Sequence, residues 1–554
     1  MPNFYRDNPD LLFQMARTDW TAFVPGLEDG FQDPAEDAPR SLEEARETYE
    51  AVLELAGQIC AEVAAPSAAA NDREGARLEN GRMVYAAGTQ RSWDALKEAR
   101  LLAMGLPRRF GSWNLPTTVT TAVLEMVGRA DPALHNIVGA QEFAYVIHEF
   151  GSEALKTRFM PDVASGAVGV AMVLTEADAG SDLNAVQCRA DFTADGRWLL
   201  NGTKNFATNG GAGLLVVLAR SEPGSTDSKG LSLFAVPRSE KISILKLEEK
   251  MGIHASPTCQ LAFDGAEGFL VGERGKGLHP YMLHLMFEAR LSVSSQSVGV
   301  AQSAYEEALK YAKVRQQFKR PLIKFQPLAD KLVRMSLEIQ AARALLYYAS
   351  AKVDLKNATK KGGGPLHEAA NKAADVLTPI LKYAASEIAV RTASDAVQIH
   401  GGYGFIREYP VERIYRDARI LPIYEGTTEI QVGYVIGQIL AGALDPVLDE
   451  LMGKSAASPE RKAHEEARAL LTRACAAVSK ANDKQLTQLL ARGVVDSAFD
   501  LLAGLLFAVQ APHSPKKALA SGKWMRDALP RMRMRAEIAE AADRTVIERV
   551  EELL

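Results

Sequence analysis

The sequence predicts an α+β chain that is mostly α, with its strands confined to one central block. Three observations carry this. Apolar residues recur at spacings of three and four from Leu42 to Ala65, and again from His279 to about Ala441. Between Ala171 and Gly275 the texture changes to short apolar runs separated by turn dipeptides. The order is therefore helices, strands, helices, whereas a doubly wound α/β domain alternates the two.

Residues 1–41 form an N-terminal extension. Residues 42–170 form a helical domain: Val52, Leu53, Leu55, Ala56, Ile59 and Cys60 mark its first helix. Trp93–Ala103, Val119–Val127 and Ala140–Ala164 follow in the same pattern, with Pro161 expected to break the last run. Residues 171–275 form the β domain. Asp195-Gly196, Asn201-Gly202 and Asn209-Gly210 are its turn signals, and "LLVVLAR" and "LSLFAVP" are strand-like runs. Residues 276–445 return to helical periodicity, with "KKGGGP" (Lys360–Pro365) as a loop between helices. A polar break at "GKSAASPE" opens a last helical stretch, residues 446–554.

The 554 residues suit two to four domains. With 47% apolar and 24% charged residues the composition is that of an ordinary globular protein, and a net charge of −5 offers no basic field for nucleic acid. Cys60, Cys188, Cys259 and Cys475 form no CxxC pair, which argues against a zinc ribbon or a disulfide framework and suits a reducing cytoplasm. Nine histidines without H-E-x-x-H indicate no metal site. The start "MPNFYRDNPDLLFQ" is too polar for a secretory signal, and no uninterrupted run of about 18 apolar residues predicts a membrane span.

Several stretches carry chemistry. "VLTEADAGSDLNAV" (Val173–Val186) is placed where helix gives way to strand. It reads either as a connection capped by Asp178 and Asp182, or as a loop in which Gly180 admits a ligand and Thr175 and Ser181 bond its polar edge. In "NGTKNFATNG" (Asn201–Gly210), strand alternation puts Phe206 and Thr208 on one face, a ring to stack and a hydroxyl to bond. "RQQFKRPLIKFQ" follows a long helix; Arg315 and Phe318, three apart, are expected to be helical neighbours, and the planar Arg315 fork suits a pyrophosphate. "QIHGGYGFIREYPVERIYRDARI" is no dinucleotide fingerprint, because G-x-G-x-x-G is absent; its glycines allow close backbone approach, and His400 reads as a core or loop residue.

"LPIYEGTTEIQ" (Leu421–Gln431) places Glu425 between Tyr424 and Gly426. Thr428 and Gln431 fit a capping box, so a helix is expected to start near Glu429. Glu425 then lies in the turn before a helix. The helix N-terminus favours its anion, and burial beside Tyr424 and Ile423 favours the acid. A carboxylate balanced in this way suits a general base, and equally a residue that complements the helix dipole.

Taken together and in order, "LTEADAGSD", "NGTKNFATNG", "KMGIHASPT", "RQQF", "GGYGFIREYPVERIYRDARI" and "IYEGTTEIQ" resemble the acyl-CoA dehydrogenases, FAD flavoenzymes, over roughly Leu42–Leu440. The resemblance implies a helical domain, a β domain and a four-helix bundle. It implies that Glu425 removes the α-proton of an acyl-CoA while the β-carbon delivers hydride to flavin N5. It further implies that the thioester carbonyl bonds the Glu425 N–H and a ribityl hydroxyl. Thr175, Gly180, Ser181, Phe206 and Thr208 are implied to hold the flavin, and Thr427 and Glu429 to touch FAD. Arg315, Phe318, Gln398 and Gly402 match residues that reach the FAD of a neighbouring subunit. Ser181, Arg290, Tyr424 and Gly426 fall on the substrate side. Phe206 stands where the family often has tryptophan. Ala289 occupies the alternative base position of some members, with Glu288 one place out of step, which favours Glu425. The two ends resemble the larger bacterial members, which implies a homodimer and an electron-transferring flavoprotein as acceptor. An acyl-CoA oxidase and a flavin-bearing DNA-associated relative are the alternatives, the latter supported only by "RMRMR" (Arg531–Arg535), which otherwise reads as a solvated helix face.

Overall fold

The structure, a computed structural model, describes residues 1–554, the side chain of Glu288 excepted. In the N-terminal extension α1 (Pro9–Arg17) starts at Asn8, whose side chain accepts from the Leu11 N–H at 3.2 Å. The helical domain contains α2 (Leu42–Ile59), α3 (Thr117–Ala130), α4 (Pro132–Gly139) and α5 (Glu153–Ala164). The expected break at Pro161 falls elsewhere: α5 runs through it, and the chain breaks at Gly151, where Ser152 caps the new helix. Pro161 and Thr157 both face solvent, so the carbonyl that the proline leaves unpaired lies on the helix's exposed face.

Seven strands form the middle domain: β1 (Val170–Val173), β2 (Arg189–Phe192), β3 (Trp198–Thr208), β4 (Leu214–Arg220), β5 (Leu231–Pro237), β6 (Ile242–Leu247) and β7 (Thr258–Val271). Their order is β1-β4-β2-β3-β7-β5, with β6 on β7, and β5 also pairs with β4, which closes the sheet on itself. Asp195-Gly196 and Asn209-Gly210 occupy turns, but Asn201-Gly202 lies inside β3, at a register shift between Leu200 and Asn201. A Cβ on Gly202 would stand 3.0 Å from the Cys188 backbone, so this glycine serves close strand packing. Val173–Val186 likewise follows a strand, β1, and does not join a helix to a strand.

The third domain packs the long helices α6 (Leu283–Val314), α7 (Gln326–Thr359) and α8 (Gly364–His400), then the short α9 (Pro410–Ala418) and α10 (Thr428–Leu440). The last domain is built on α11 (Arg461–Ala481), α12 (Lys484–Gln510) and α13 (Pro515–Ala541), and α12 packs against α7, α8 and α10. Residues 484–513 are long and apolar enough to cross a membrane, but 78% of their most apolar 18-residue stretch is buried within the fold.

A buried ion network joins the two ends. The Arg343 guanidinium on α7 donates to Glu125 on α3 and Asp10 on α1, both at 2.9 Å, and to Gln302 at 2.8 Å. The Lys517 ammonium on α13 binds the other oxygen of Asp10. The arginines of "RMRMR" are also partnered: Arg531 and Arg535 both donate to Asp500, and Arg533 to Glu466. A face expected to be solvated is thus largely neutralised by α11 and α12.

Candidate active site

A cavity of about 640 Å³ opens where the β domain meets the two helical domains. The sheet supplies one wall. Between Lys204 and Ala207 two residues of β3 stand opposite one of β7, a β-bulge with Phe206 at φ 57°. The bulge replaces the strict alternation expected from the sequence. Lys204 is fully buried on one side, where its ammonium donates to the Leu174 carbonyl and the Glu176 carboxylate, both at 2.8 Å. Asn205, Phe206 and Thr208 all turn to the cavity. Glu176 also accepts from the Gln187 and Cys188 N–H groups at 2.7 and 2.9 Å, and the Asn205 N–H donates to the Thr175 carbonyl. These bonds fix the loop that carries Thr175, Gly180 and Ser181 onto the same wall.

The "KMGIHASPT" loop closes the site from below. A Cβ on Gly252 would lie 2.5 Å from the Arg416 backbone, so only glycine lets this loop pack against α9. The Ile253 N–H, at φ 48°, is held by Asp417 Oδ1 at 2.5 Å. Burial pushes the Asp417 carboxyl up to about 6.

The opposite wall holds Glu425. After α9 the chain turns back on itself: the Tyr424 N–H donates to the Ile420 carbonyl at 3.2 Å and the Thr428 N–H to Pro422 at 3.0 Å. Helix α10 starts one residue earlier than expected, at Thr428, because Thr427 is the cap, its hydroxyl accepting from the Ile430 N–H at 3.3 Å. Gln431 is therefore free of a capping box and donates to the Glu425 and Gly426 carbonyls at 2.9 and 3.3 Å. Glu425 (φ 53°) and Gly426 (φ 89°) are both left-handed, which throws the Glu425 side chain out of line with the helix and onto the cavity. Burial pushes the Glu425 carboxyl up to about 7, and the nearby Lys382 ammonium pulls it down. Lys382, itself fully buried, donates to the Gly426 carbonyl at 2.6 Å; burial pushes it down to about 8, against the pull of Glu425.

Tyr424 is held from the far side. Its hydroxyl donates to Gln296 Oε1 and reaches Asn136 Oδ1 at 3.2 Å, while Gln296 Nε2 donates to Asn136 Oδ1 and the Pro132 carbonyl at 2.7 and 2.8 Å. His135, Phe143, Met286 and Ser292 extend the cavity beyond this network. Burial holds His135 neutral, pushed down to about 3.

The cavity gathers Thr175, Gly180, Ser181, Phe206, Thr208, Tyr424, Glu425, Gly426 and Thr427 from three separate stretches. Arg290 is 2% exposed and lies beneath the lining, its guanidinium 5.0 Å from the Phe287 ring and 4.7 Å from Tyr434. Glu429 is exposed in the first turn of α10. The remaining four residues cluster on an outer surface. Arg315 and Phe318 are not helical neighbours, because α6 ends at Val314 and residues 316–321 form a hairpin with Phe318 and Lys319 at positive φ. Phe318 is 87% exposed, Arg315 lies 5.5 Å from the Tyr403 ring, and Gln398 and Gly402 are exposed beside it.

Asn136, Gln296, Gln431 and Lys382 were not legible as site residues. Lys382 did leave a signal: Thr378, Lys382, Ala385 and Ala389 share one buried stripe of α8, where a charge is out of place without a partner.

The β wall fits a flat aromatic ring system. Phe206 is 61% exposed over the cavity, Thr175, Ser181 and Thr208 bring hydroxyls, and open space lies where a Cβ on Gly180 would be. The models of the acyl-CoA dehydrogenase N-terminal, middle and C-terminal domains match residues 46–167, 171–266 and 275–440. The 3-methylmercaptopropionyl-CoA dehydrogenase of Ruegeria pomeroyi is 37% identical over 428 residues, 72% of this chain and 71% of that protein. The structure of butyryl-CoA dehydrogenase from Megasphaera elsdenii superposes with a TM-score of 0.63 at 31% identity, covering 71% of this chain and 98% of that one. An acyl-CoA dehydrogenase from Bacillus anthracis, complexed with FAD, covers 91% of this chain and 90% of its own with a TM-score of 0.78; at 24% identity it extends the likeness of fold alone. With three domain matches in order and a cavity that fits a flavin, this chain belongs to the acyl-CoA dehydrogenase family of FAD-dependent oxidoreductases.

Proposed function

We propose that this chain converts an acyl-CoA thioester to the trans-2-enoyl-CoA, with Glu425 removing the α-proton. The observation that carries the reading is the state of Glu425: a carboxylate set on a left-handed turn, facing the cavity, with its pKa raised to about 7 by burial. A base poised near neutral pH is both substantially ionised and proton-hungry. FAD, when bound, supplies the acceptor for the β-hydride. Thr175, Gly180, Ser181, Phe206 and Thr208 hold its flat ring in this reading, with Thr427 and Glu429 at its edge. The Glu425 N–H donates to the thioester carbonyl and stabilises the charge that develops there. Tyr424, Gly426 and Ser181 flank the acyl thioester, and Arg290 contributes positive charge from beneath the lining.

Arg315, Phe318, Gln398 and Gly402 lie together outside the cavity, an arrangement that supports their use by a second copy, so the working form is a homodimer in which they reach the partner's FAD. The acyl group is short in this reading, which the relatives named for butyryl-CoA and 3-methylmercaptopropionyl-CoA support. Electrons pass on to an electron-transferring flavoprotein.

The test is Glu425→Gln, assayed by anaerobic stopped-flow bleaching of the flavin with a panel of acyl-CoAs. The variant keeps its yellow colour and acyl-CoA binding and loses roughly 10²–10⁴-fold in bleaching rate, whereas Glu408→Gln and Glu429→Gln keep more. Near-wild-type bleaching would refute the assignment, and loss of bound flavin would make Glu425 structural. Oxygen consumption without a flavoprotein acceptor would instead identify an oxidase.

A further inference from the structure

The turn that bears Glu425 is held from behind by two fully buried side chains. Lys382 comes from the middle of α8 and Gln431 from the first turn of α10, and both are 0% exposed. Two successive left-handed residues turn the Glu425 and Gly426 carbonyls toward these helices, away from solvent. A buried carbonyl without a donor is costly. Here both are satisfied: Lys382 Nζ donates to Gly426 at 2.6 Å, and Gln431 Nε2 to Glu425 at 2.9 Å and Gly426 at 3.3 Å. An ammonium is a strange choice for that task. A neutral donor would satisfy a carbonyl without the desolvation of a full charge, as Gln431 beside it demonstrates. What only the ammonium adds is its positive charge, set directly behind the carboxylate-bearing residue.

We propose that Lys382 is a positioning residue for the base: with Gln431 it grips the two carbonyls of the Glu425–Gly426 turn, and alone it places a compensating positive charge behind the Glu425 carboxylate. The charged groups that face Lys382 are Glu425 from the turn, Arg290 from α6, Glu387 from α8 and Glu429 from α10. Glu387 is already engaged, accepting from the Thr428 hydroxyl at 2.7 Å and pairing with Arg492 at 3.3 Å. Glu429 is exposed to solvent, which screens it. Glu425, half-buried at the cavity wall, is therefore the anion that Lys382 serves. The charge keeps a desolvated carboxylate from rising out of the range in which it can act as a base near neutral pH.

The inference rests on Glu425 being the base, but its test does not depend on turnover. The Glu425 carboxyl is titrated by infrared difference spectroscopy in the flavin-loaded protein, its band assigned by its absence in Glu425→Gln. In Lys382→Met the midpoint moves up by about one unit or more, the scale of a nearby opposite charge lost. In Gln431→Leu, which removes a carbonyl donor and no charge, the midpoint stays in place while bleaching slows by about tenfold or more through misplacement of the base. Lys382→Gln is neutral, retains a donor and carries the same charge test should the methionine variant not fold. An unchanged midpoint in the neutral Lys382 variants, or an equal shift in Gln431→Leu, overturns the proposal and leaves Lys382 as a carbonyl donor only. Retained bleaching in Glu425→Gln overturns the base assignment and leaves the infrared result standing.

Discussion

Gly426→Ala is the sharpest single perturbation of the site. Gly426 has φ 89°, and a Cβ there would meet Gln431 Nε2 at 2.5 Å, against the far end of a side chain that is itself fully buried. Two costs follow. The left-handed backbone costs an alanine about 1–2 kcal/mol, and displacing Gln431 loses a hydrogen bond worth about 0.5–1.5 kcal/mol. The turn can relieve both by rotating out of the left-handed region, which swings the Glu425 carboxylate away from the cavity. If about 2–3 kcal/mol is drawn from the transition state, bleaching slows by roughly 30- to 150-fold. Flavin content stays near wild type, because Thr175, Ser181, Phe206 and Thr208 lie on the opposite wall. The assay is anaerobic stopped-flow with a good acyl-CoA, together with the absorbance ratio of bound flavin to protein. Bleaching within threefold of wild type would show that the left-handed turn does not position the base, and a loss of flavin in proportion to rate would show that the damage is global.

Two further outcomes follow from the charges. Because burial raises the Glu425 carboxyl to about 7 and the proposed base acts only when deprotonated, kcat/KM is expected to rise with pH through about 7 and level off above it; a limb near the ordinary glutamate value would contradict the proposed role or the desolvation of this group. Arg343→Met strands Glu125 and Asp10 in the interior without their common partner and destabilises the fold by about 3–5 kcal/mol, read as a lower urea midpoint at unchanged slope. An unchanged midpoint would mean that Lys517 alone suffices to hold Asp10.

How much of this was readable along the chain depends on how local each cause is. The three-part order of helices, strands and helices follows from periodicity, which is a property of neighbouring residues. Turn chemistry is local too, yet Asn201-Gly202 shows its limit: the same dipeptide that makes a hairpin turn runs here within a strand, opposite the extra β7 residue Gly265, and only the packing against Cys188 selects between them. The Asn205–Phe206 bulge is of the same kind. Alternation predicts one face for Phe206 and Thr208, but the demand to bury Lys204 against Glu176 shifts the register and brings Asn205 to the cavity as well. Arg315 and Phe318 were set three apart by the sequence, and the end of α6 at Val314 undid the helical reading.

By itself the sequence determined the order of helices, strands and helices, and it offered the residue types and the acid of the "IYEGTTEIQ" turn on which the proposed function rests. Those depend on spacing within a segment and on the resemblance carried by the quoted motifs. Only the tertiary structure decided what surrounds that acid. Lys382 stands 43 residues before Glu425 (425 − 382), and Gln296 stands 128 residues before Tyr424. No local pattern links positions so far apart. Their contacts arise because α6, α8 and α10 pack side by side, and a buried charge or carbonyl in that packing must find its partner wherever the fold brings one within reach.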